Sequence, residues 1–297
     1  MSDSKPRYDI IGDIHGHASE LIQLLELLDY DRRRGHYSHP DRKVVFLGDF
    51  IDRGPQIREV LGIVRPMLDN EAAVSVMGNH EFNAIAYHTR NADKPQDFLR
   101  PHSQKNVKQH ARTTQQVPPS ELYEHIDWFR TLPLSLDLGG LRAMHACWDE
   151  GQINVIKEER AKRGGITDEF MADAMDSDND LFDAIEDVAK GKEVKLPDGQ
   201  TFFDKDGNER SEIRIKWYES PENGNLANYA LPAVDAISND LDLGNDAGLP
   251  EPYPPDAPPV FFGHYWLKDE TPGRLASNVA CLDYSVAKKG GKLCAYR

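Results

Sequence analysis

The chain has 297 residues, a formal net charge of -15 and 39% hydrophobic residues, which fits one large domain or two small ones with an ordinary core. No apolar run approaches the roughly 20 residues of a membrane span, and the acidic balance argues against a general grip on nucleic acid. The opening MSDSKPRYDI has no apolar stretch of signal-peptide length, so a soluble, cytoplasmic protein without a membrane partner is expected.

Two hydrophobic periods alternate through the first half. Arg7 to Asp13 (RYDIIGD) reads as a buried strand running into a glycine turn. Ala18 to Tyr30 places apolar residues at helical spacing, with Ser19 as the expected cap. Lys43 to Asp49 (KVVFLGD) is a second strand, Gln56 to Leu68 a second helix kinked or ended at Pro66, and Ala72 to Asn79 (AAVSVMGN) a third strand. This order predicts right-handed crossovers and a largely parallel α/β core. Ser120 to Thr131 predicts a capped helix, followed by two short strands, LSLDLGG and LRAMHA. From about Ile156 to Asp246 the composition turns acidic and helical, then turn-rich, which reads as an insertion or cap on one 1–297 domain. A proline-rich connector, GLPEPYPPDAPPV, then leads to the strand VFFGHYWL and to closing strands near Leu275 to Leu282 and Leu293 to Tyr296.

Five of these strands end alike, in IIGDIHG, VVFLGDFIDRG, VSVMGNHE, LRAMHAC and VFFGHYW. Strand ends of an α/β sheet converge on one edge, where ligands bind. Asp13, His15, Asp49, Asn79, His145 and His264 could therefore meet despite their separation in sequence. Oxygen and imidazole donors without thiolate suit a hydrolytic transition-metal or magnesium site. So many donors suit two cations about 3.5–4 Å apart, sharing one carboxylate, that clamp a phosphoryl group and acidify a water. In-line attack then needs a proton donor at the leaving oxygen and a guanidinium on the other phosphate oxygens. His80 and Arg53 are available for these tasks, and Asp52 could orient His80.

The motifs GDIHG, GDFIDRG and GNHE, in this order over Gly12 to Glu81, resemble the signature of the phosphoprotein phosphatase (PPP) family of calcineurin-like metallophosphoesterases. The form GDIHGH is most similar to the bacterial members, which include symmetrical diadenosine tetraphosphatases and serine/threonine protein phosphatases. The resemblance implies a two-sheet β-sandwich flanked by helices, beyond what the strand-helix pattern of the first half shows. It implies that Asp13 and His15 bind a first metal, that Asp49 bridges, and that Asn79, His145 and His264 bind a second. It further implies that His80 is the general acid, that Glu81 supports the ligands from behind, and that Asn79, His80 and Arg53 contact the phosphate. The histidine motif departs from the family's glycine-flanked form, standing here as MHACWDEG. A second phosphate-binding arginine is expected between the last two histidines; Arg210 and Arg214 are both available, with Arg214 preferred beside KWYE.

Single residues also have ordinary uses. Asp13 or Asp49 could cap a helix and Asn79 could hold a left-handed turn. His17 reads as peripheral, and His36, His39, His88, His102, His110 and His125 as surface histidines. The basic segment Pro101 to Arg112 reads as a solvated helix, the acidic Asp168 to Asp187 as a solvated helical face, and DKDGNE (Asp204 to Glu209) as a hairpin turn. Cys147, Cys281 and Cys294 lack framework spacing and read as reduced core thiols.

The expectation is a dinuclear-metal phosphatase that hydrolyses phosphomonoesters through metal-bound hydroxide, of phosphoserine or phosphothreonine type, with phosphotyrosine and a broad specificity also open. Manganese is the expected ion, with iron, zinc, nickel or cobalt compatible. One alternative is a symmetrical bis(5'-nucleosyl)-tetraphosphatase, for which Phe202, Phe203, Trp217 and Tyr218 would offer an aromatic clamp. The other is an inactive phosphate-binding protein, which would lack ligands; every motif ligand is present. The expected partner is a phosphorylated protein or a small phosphoester or nucleotide.

Overall fold

Alternation along Arg7–Ile11 sorts its side chains onto two faces. Ile10 joins Val45, Leu47, Ala143, Phe261, Ala280 and Leu282 in one apolar layer. Ile11 joins Val44, Phe46, Leu21, Leu25, Ile57 and Val60 in another. The computed structural model, which describes residues 6–196, 199–203, 209–220, 226–233, 250–269 and 271–297, shows why. The first layer lies between two sheets, and the second lies between sheet and helices.

The first sheet runs Ala295–Tyr296, Arg7–Ile11, Arg42–Phe46, Ala73–Ser75; the last three are parallel and the edge strand is antiparallel. The second runs Val279–Cys281, Val260–Phe262, Arg142–Met144, Ser135–Asp137; its first three are parallel and the last antiparallel. The parallel core and the two-sheet sandwich are both as expected. Their union follows from inner positions occupied by short apolar side chains such as Ile10, Val45, Ala143 and Ala280, which let the sheets approach.

Helices Ala18–Leu27 and Ile57–Asp69 cover the first sheet. Ser19 does not cap the first of these; its hydroxyl donates to Gln56 Oε1 at 3.0 Å, and His17 stands at the N-cap. Pro66 neither ends nor stops the second, which continues to Asp69. The helix expected at Ser120 begins one residue earlier, at Pro119, and proline rather than a hydroxyl starts it.

Helix Glu150–Lys162 packs on Asp180–Lys190. Acidic though they are, Asp168–Asp173 and Asp180–Lys190 bury Phe170, Met171, Leu181, Ile185 and Val188 in the main core. A small separate core of Leu196, Ile213, Ile215, Leu226 and Tyr229 follows. Phe202–Phe203 and Glu209–Arg210 pair antiparallel; the turn expected at DKDGNE falls on 204–208, which lie outside the described residues. Cys147, Cys281 and Cys294 are free and buried, as read from their spacing. No helix among the described residues is long and apolar enough to cross a membrane.

Candidate metal centre

Every parallel strand of both sheets delivers chemistry from its C-terminal end. Asp13 and His15 follow Arg7–Ile11; Asp49, Asp52 and Arg53 follow Arg42–Phe46; Asn79 and His80 follow Ala73–Ser75. His145 follows Arg142–Met144, His264 follows Val260–Phe262, and Asp283 follows Val279–Cys281. The loops are tied by backbone bonds: Ile14 and His15 N–H both donate to Asp49 O, at 3.2 and 2.7 Å. Turning strand ends this sharply puts non-glycine residues in left-handed backbone, with φ of 43° at His15, 51° at Asp49, 65° at Asp52 and Arg53, and 73° at His264. Each such residue costs on the order of 1–3 kcal/mol and persists only where its surroundings over-determine it.

The six expected ligands converge, all of them buried. Asp49 belongs to two groups of close ligand atoms, one with His15 and His80 and one with Asp13 and His145. Its carboxylate lies 3.4 Å from His15 Nε2 on one oxygen and 3.4 Å from His145 Nε2 on the other. Asn79 Oδ1 sits 3.0 Å from His145 Nε2 and 2.9 Å from His264 Nδ1, so the three expected second-metal ligands face one another. The grouping of Asp13 with His145 rather than with His15 differs from the pairing that the family resemblance implies. His15 and His145 are oriented from behind by Ile51 O and Leu47 O, which accept from their Nδ1–H at 3.0 and 2.7 Å.

These residues fit divalent cations on three grounds. Asp13 Oδ1, His15 Nε2 and His264 Nε2 are buried without a hydrogen-bond partner. Burial, then Asp283 and Asp49, push the Asp13 carboxyl well above the ordinary range, the repulsion that a cation relieves. At His145, burial disfavours the charged form but the neighbouring Asp49 overrides it and raises the imidazole to about 10, so a proton stands where positive charge is wanted. His15, held by burial at about 3, is instead neutral and ready to donate a lone pair.

Glu81 anchors the loop that carries Asp49. Its Oε2 accepts from Asp49 N–H at 2.8 Å and Gly78 N–H at 3.1 Å, and its Oε1 accepts from Phe50 N–H at 2.8 Å and Ile51 N–H at 3.3 Å. Gly78 admits this arrangement, because a Cβ there would fall 2.2 Å from Asp49 Oδ1. The first turn of helix Asn79–His88 adds its own donor, His80 N–H to Asp49 Oδ1 at 3.0 Å.

At the mouth, His80 Nδ1 donates to Asp52 Oδ2 at 2.6 Å, and its Nε2 faces Asp49 Oδ2 at 4.0 Å. Arg53 stacks 4.0 Å over the Trp266 ring, while one of its terminal nitrogens lies 3.3 Å from His80 Nε2. Lys288 Nζ lies 3.9 Å from the same indole. Arg214 pairs with Glu193 at 3.2 Å and reaches near enough to His264 to depress that imidazole, after burial. Arg210 pairs with the same Glu193 at 3.0 Å. A cavity of about 580 Å³ among Arg7, His36, His39, Arg42 and Lys43 lies at the opposite, N-terminal end of the strands and holds none of these groups.

Several residues fall differently from expectation. His110 is buried rather than exposed; its Nδ1 donates to Asp52 Oδ1 at 2.9 Å, so the helix Gln104–Gln116 is not merely solvated. His125 is buried, and His36, His39 and His88 are half-buried; only His102 of that set is exposed. Trp217 and Tyr218 are core residues, with Trp217 Nε1–H donating to Ala146 O at 3.1 Å, and cannot clamp a base. Phe203 is exposed and Phe202 half-buried. Asp283, Trp266 and Thr113 were not legible as site residues, because nothing in their local sequence separates them from turn and helix positions.

Comparison with known proteins fits this geometry. The family described as calcineurin-like phosphoesterase matches residues 6–231. A protein of Halalkalibacterium halodurans named bis(5'-nucleosyl)-tetraphosphatase PrpE [asymmetrical] is 47% identical over 75 residues, 25% of this chain and 30% of that one. The protein of the same name from Geobacillus sp. is 45% identical over 75 residues, 25% and 31% of the two chains. The matched segment thus spans under a third of these curated relatives. A cold-active protein tyrosine phosphatase superposes with a TM-score of 0.54 at 18% identity, covering 99% of this chain and 75% of that one, a likeness of fold. The family match over three quarters of the chain, on a two-sheet sandwich whose strand ends gather these ligands, shows that the chain belongs to the calcineurin-like phosphoesterase family.

Proposed function

We propose that this protein is a dinuclear-metal phosphatase acting on phosphomonoesters. The observation that carries the reading is Asp49, whose two carboxylate oxygens each face a different set of buried ligand atoms. As the family resemblance implies, Asp13, His15 and Asp49 would hold one cation and Asp49, Asn79, His145 and His264 the other, with Asp13 near enough to His145 to serve the shared side of Asp49. Manganese suits this oxygen and imidazole set, as do iron, zinc, nickel and cobalt. Two such cations, when bound, supply charge neutralisation at phosphorus and a water acidified to near-neutral pH.

The chain's residues do the rest. Arg53, braced on Trp266, binds non-reacting phosphate oxygens as a fork, and Arg214, whose charge is felt at His264, is the second candidate. His80 gives its Nε2 proton to the leaving oxygen, with Asp52 holding the opposite nitrogen. The presence of every ligand speaks against a catalytically dead scaffold. Within 156–246 the helices up to Lys190 belong to the main core, and the part from Leu196 onward, with its own small core, is read as the cap.

Dinucleoside tetraphosphates are the second reading, favoured by the relatives' names. Those relatives align over only 75 residues, a quarter of this chain and under a third of their own length. The buried Trp217 and Tyr218 remove half of the aromatic clamp this substrate would use. The deciding experiment offers manganese-loaded protein diadenosine tetraphosphate and a phosphothreonine peptide at equal concentration. Phosphate from the peptide alone supports the phosphomonoesterase; two ADP, or ATP plus AMP, from the dinucleotide alone replaces it with a symmetrical or asymmetrical nucleotide hydrolase.

A further inference from the structure

Asp52 is buried, and both of its oxygens are engaged. Oδ2 accepts from His80 Nδ1 at 2.6 Å. Oδ1 accepts from His110 Nδ1 at 2.9 Å and from the Thr113 hydroxyl at 2.5 Å. The Asp52 backbone N–H donates to Thr113 Oγ1 at 3.0 Å, which ties main chain and side chain to the same helix. His110 and Thr113 stand three residues apart and so share one face of Gln104–Gln116. His110 is itself held: its Nε2 lies 3.2 Å from His88 Nε2, and its ring packs 5.1 Å from Tyr87 and 5.3 Å from His88.

The hydrogen-bond directions are fixed by chemistry. An ionised carboxylate only accepts, so both histidines present Nδ1–H to Asp52. Burial opposes the Asp52 charge, but the bonds from His110 and His80 hold its carboxyl well below the ordinary range. Burial, then His110 and His102, hold His88 near 4 and hence neutral. The two Nε2 atoms share one hydrogen bond, so His88 braces the ring whose Nδ1–H donates to Asp52. Satisfying Oδ1 did not require a histidine, since Thr113 already bonds it. A rigid ring braced by a second histidine adds orientation: it fixes the carboxylate plane and hence the direction of Oδ2.

We propose that His110 is a positioning residue for the leaving-group acid: from a helix outside the metal motifs it locks Asp52 so that Oδ2 fixes the tautomer and orientation of His80. The inference rests on the reading of His80 as the acid. Three variants test it: His110→Phe removes the donor at similar volume, His110→Asn restores an N–H near the Nδ1 position, and His80→Asn is the reference. The readouts are metal content, KM and kcat on p-nitrophenyl phosphate and on an alkyl phosphate, and the low-field His80 Nδ1 proton resonance in metal-free protein.

His110→Phe is expected to keep its metals and KM and to lose on the order of tenfold in kcat on the alkyl ester, less on the aryl ester, the scale of an outer hydrogen-bond partner. The low-field resonance should broaden or shift, and His110→Asn should recover both signals. An unchanged leaving-group dependence with an intact resonance overturns the proposal. So does an equal loss on both esters, accompanied by a lowered Tm, that asparagine does not rescue, since that marks a packing role. If His80→Asn itself leaves alkyl phosphate hydrolysis unchanged, the acid reading falls, and the resonance alone then decides whether His110 positions His80.

Discussion

The Asp13 carboxylate fills the space that a side chain at residue 263 would need: a Cβ on Gly263 would fall 1.9 Å from Asp13 Oδ1. The next residue completes the contact, with His264 N–H donating to Asp13 Oδ2 at 3.0 Å. The glycine before the last histidine thus serves the aspartate of the first motif. Gly263→Ala should displace Asp13, cost about 1–3 kcal/mol of stability as an overpacked site, and reduce bound metal. Calorimetry with elemental analysis reads both, and a variant with full metal content would contradict the contact.

Asp49→Asn tests the shared ligand. The carboxamide cannot present two anionic oxygens to two groups, so both metals and essentially all turnover should go. Metal stoichiometry beside kcat measures this; a variant with both ions and near-normal turnover sinks the bridging role.

His80→Asn separates chemistry from metal binding. Metal content should stay, while kcat should fall by roughly 10²–10⁴ on esters with poor leaving groups, the range for general acid catalysis. Aryl esters, whose leaving oxygen needs no proton, should suffer less.

The two arginines on Glu193 should part company. Both pair with the same Glu193 carboxylate, but it is the Arg214 charge that, after burial, depresses His264. Arg214→Ala should weaken kcat/KM by roughly 10–100-fold, the worth of a charge-assisted bond of about 1.5–3 kcal/mol. Arg210→Ala should stay near wild type in the same assay.

Away from the site, Asp9 contributes to acid stability. Its buried carboxylate accepts from Tyr30 at 3.0 Å, from Arg42 at 2.8 Å and from Arg297 at 2.9 Å. Burial opposes ionisation, but Arg297, Arg42 and Tyr30 prevail and lower the Asp9 pKa. A depressed carboxyl contributes its full stability above the unfolded value of about 3.9 and loses it as pH falls through the folded value. Denaturation midpoints should therefore drop below about pH 4. Asp9→Asn should lose about 3 kcal/mol at neutral pH, the lower figure for a broken buried pair, and show a flatter acid limb.

Much of this was readable beforehand for a physical reason. Strand ends that carry both a glycine and a ligand must satisfy turn and chemistry together, so Asp13, Asp49 and Asn79 stand out as excess polarity after apolar runs. His110 could not be read this way. Its helix, QKNVKQHARTTQQ, is polar almost throughout, and the two residues turned inward are a histidine and a threonine rather than apolar side chains. Periodicity finds buried hydrophobes and misses buried hydrogen bonders. Trp217 and Tyr218 failed in the opposite sense, since aromatics near an arginine look like a binding surface until packing shows them inside.

The joining of Asp13 to His264 has a mechanical consequence. These residues are 251 positions apart, and each carries one buried atom without a hydrogen-bond partner. A cation pair spanning the cleft would act as a removable cross-link between the first parallel strand of one sheet and a late strand of the other. Because the entropy of closing so long a ring grows only with the logarithm of its length, metal loading should couple the two ends of the chain cheaply. Resistance to proteolysis should then rise together at both ends on loading, and fall together on chelation.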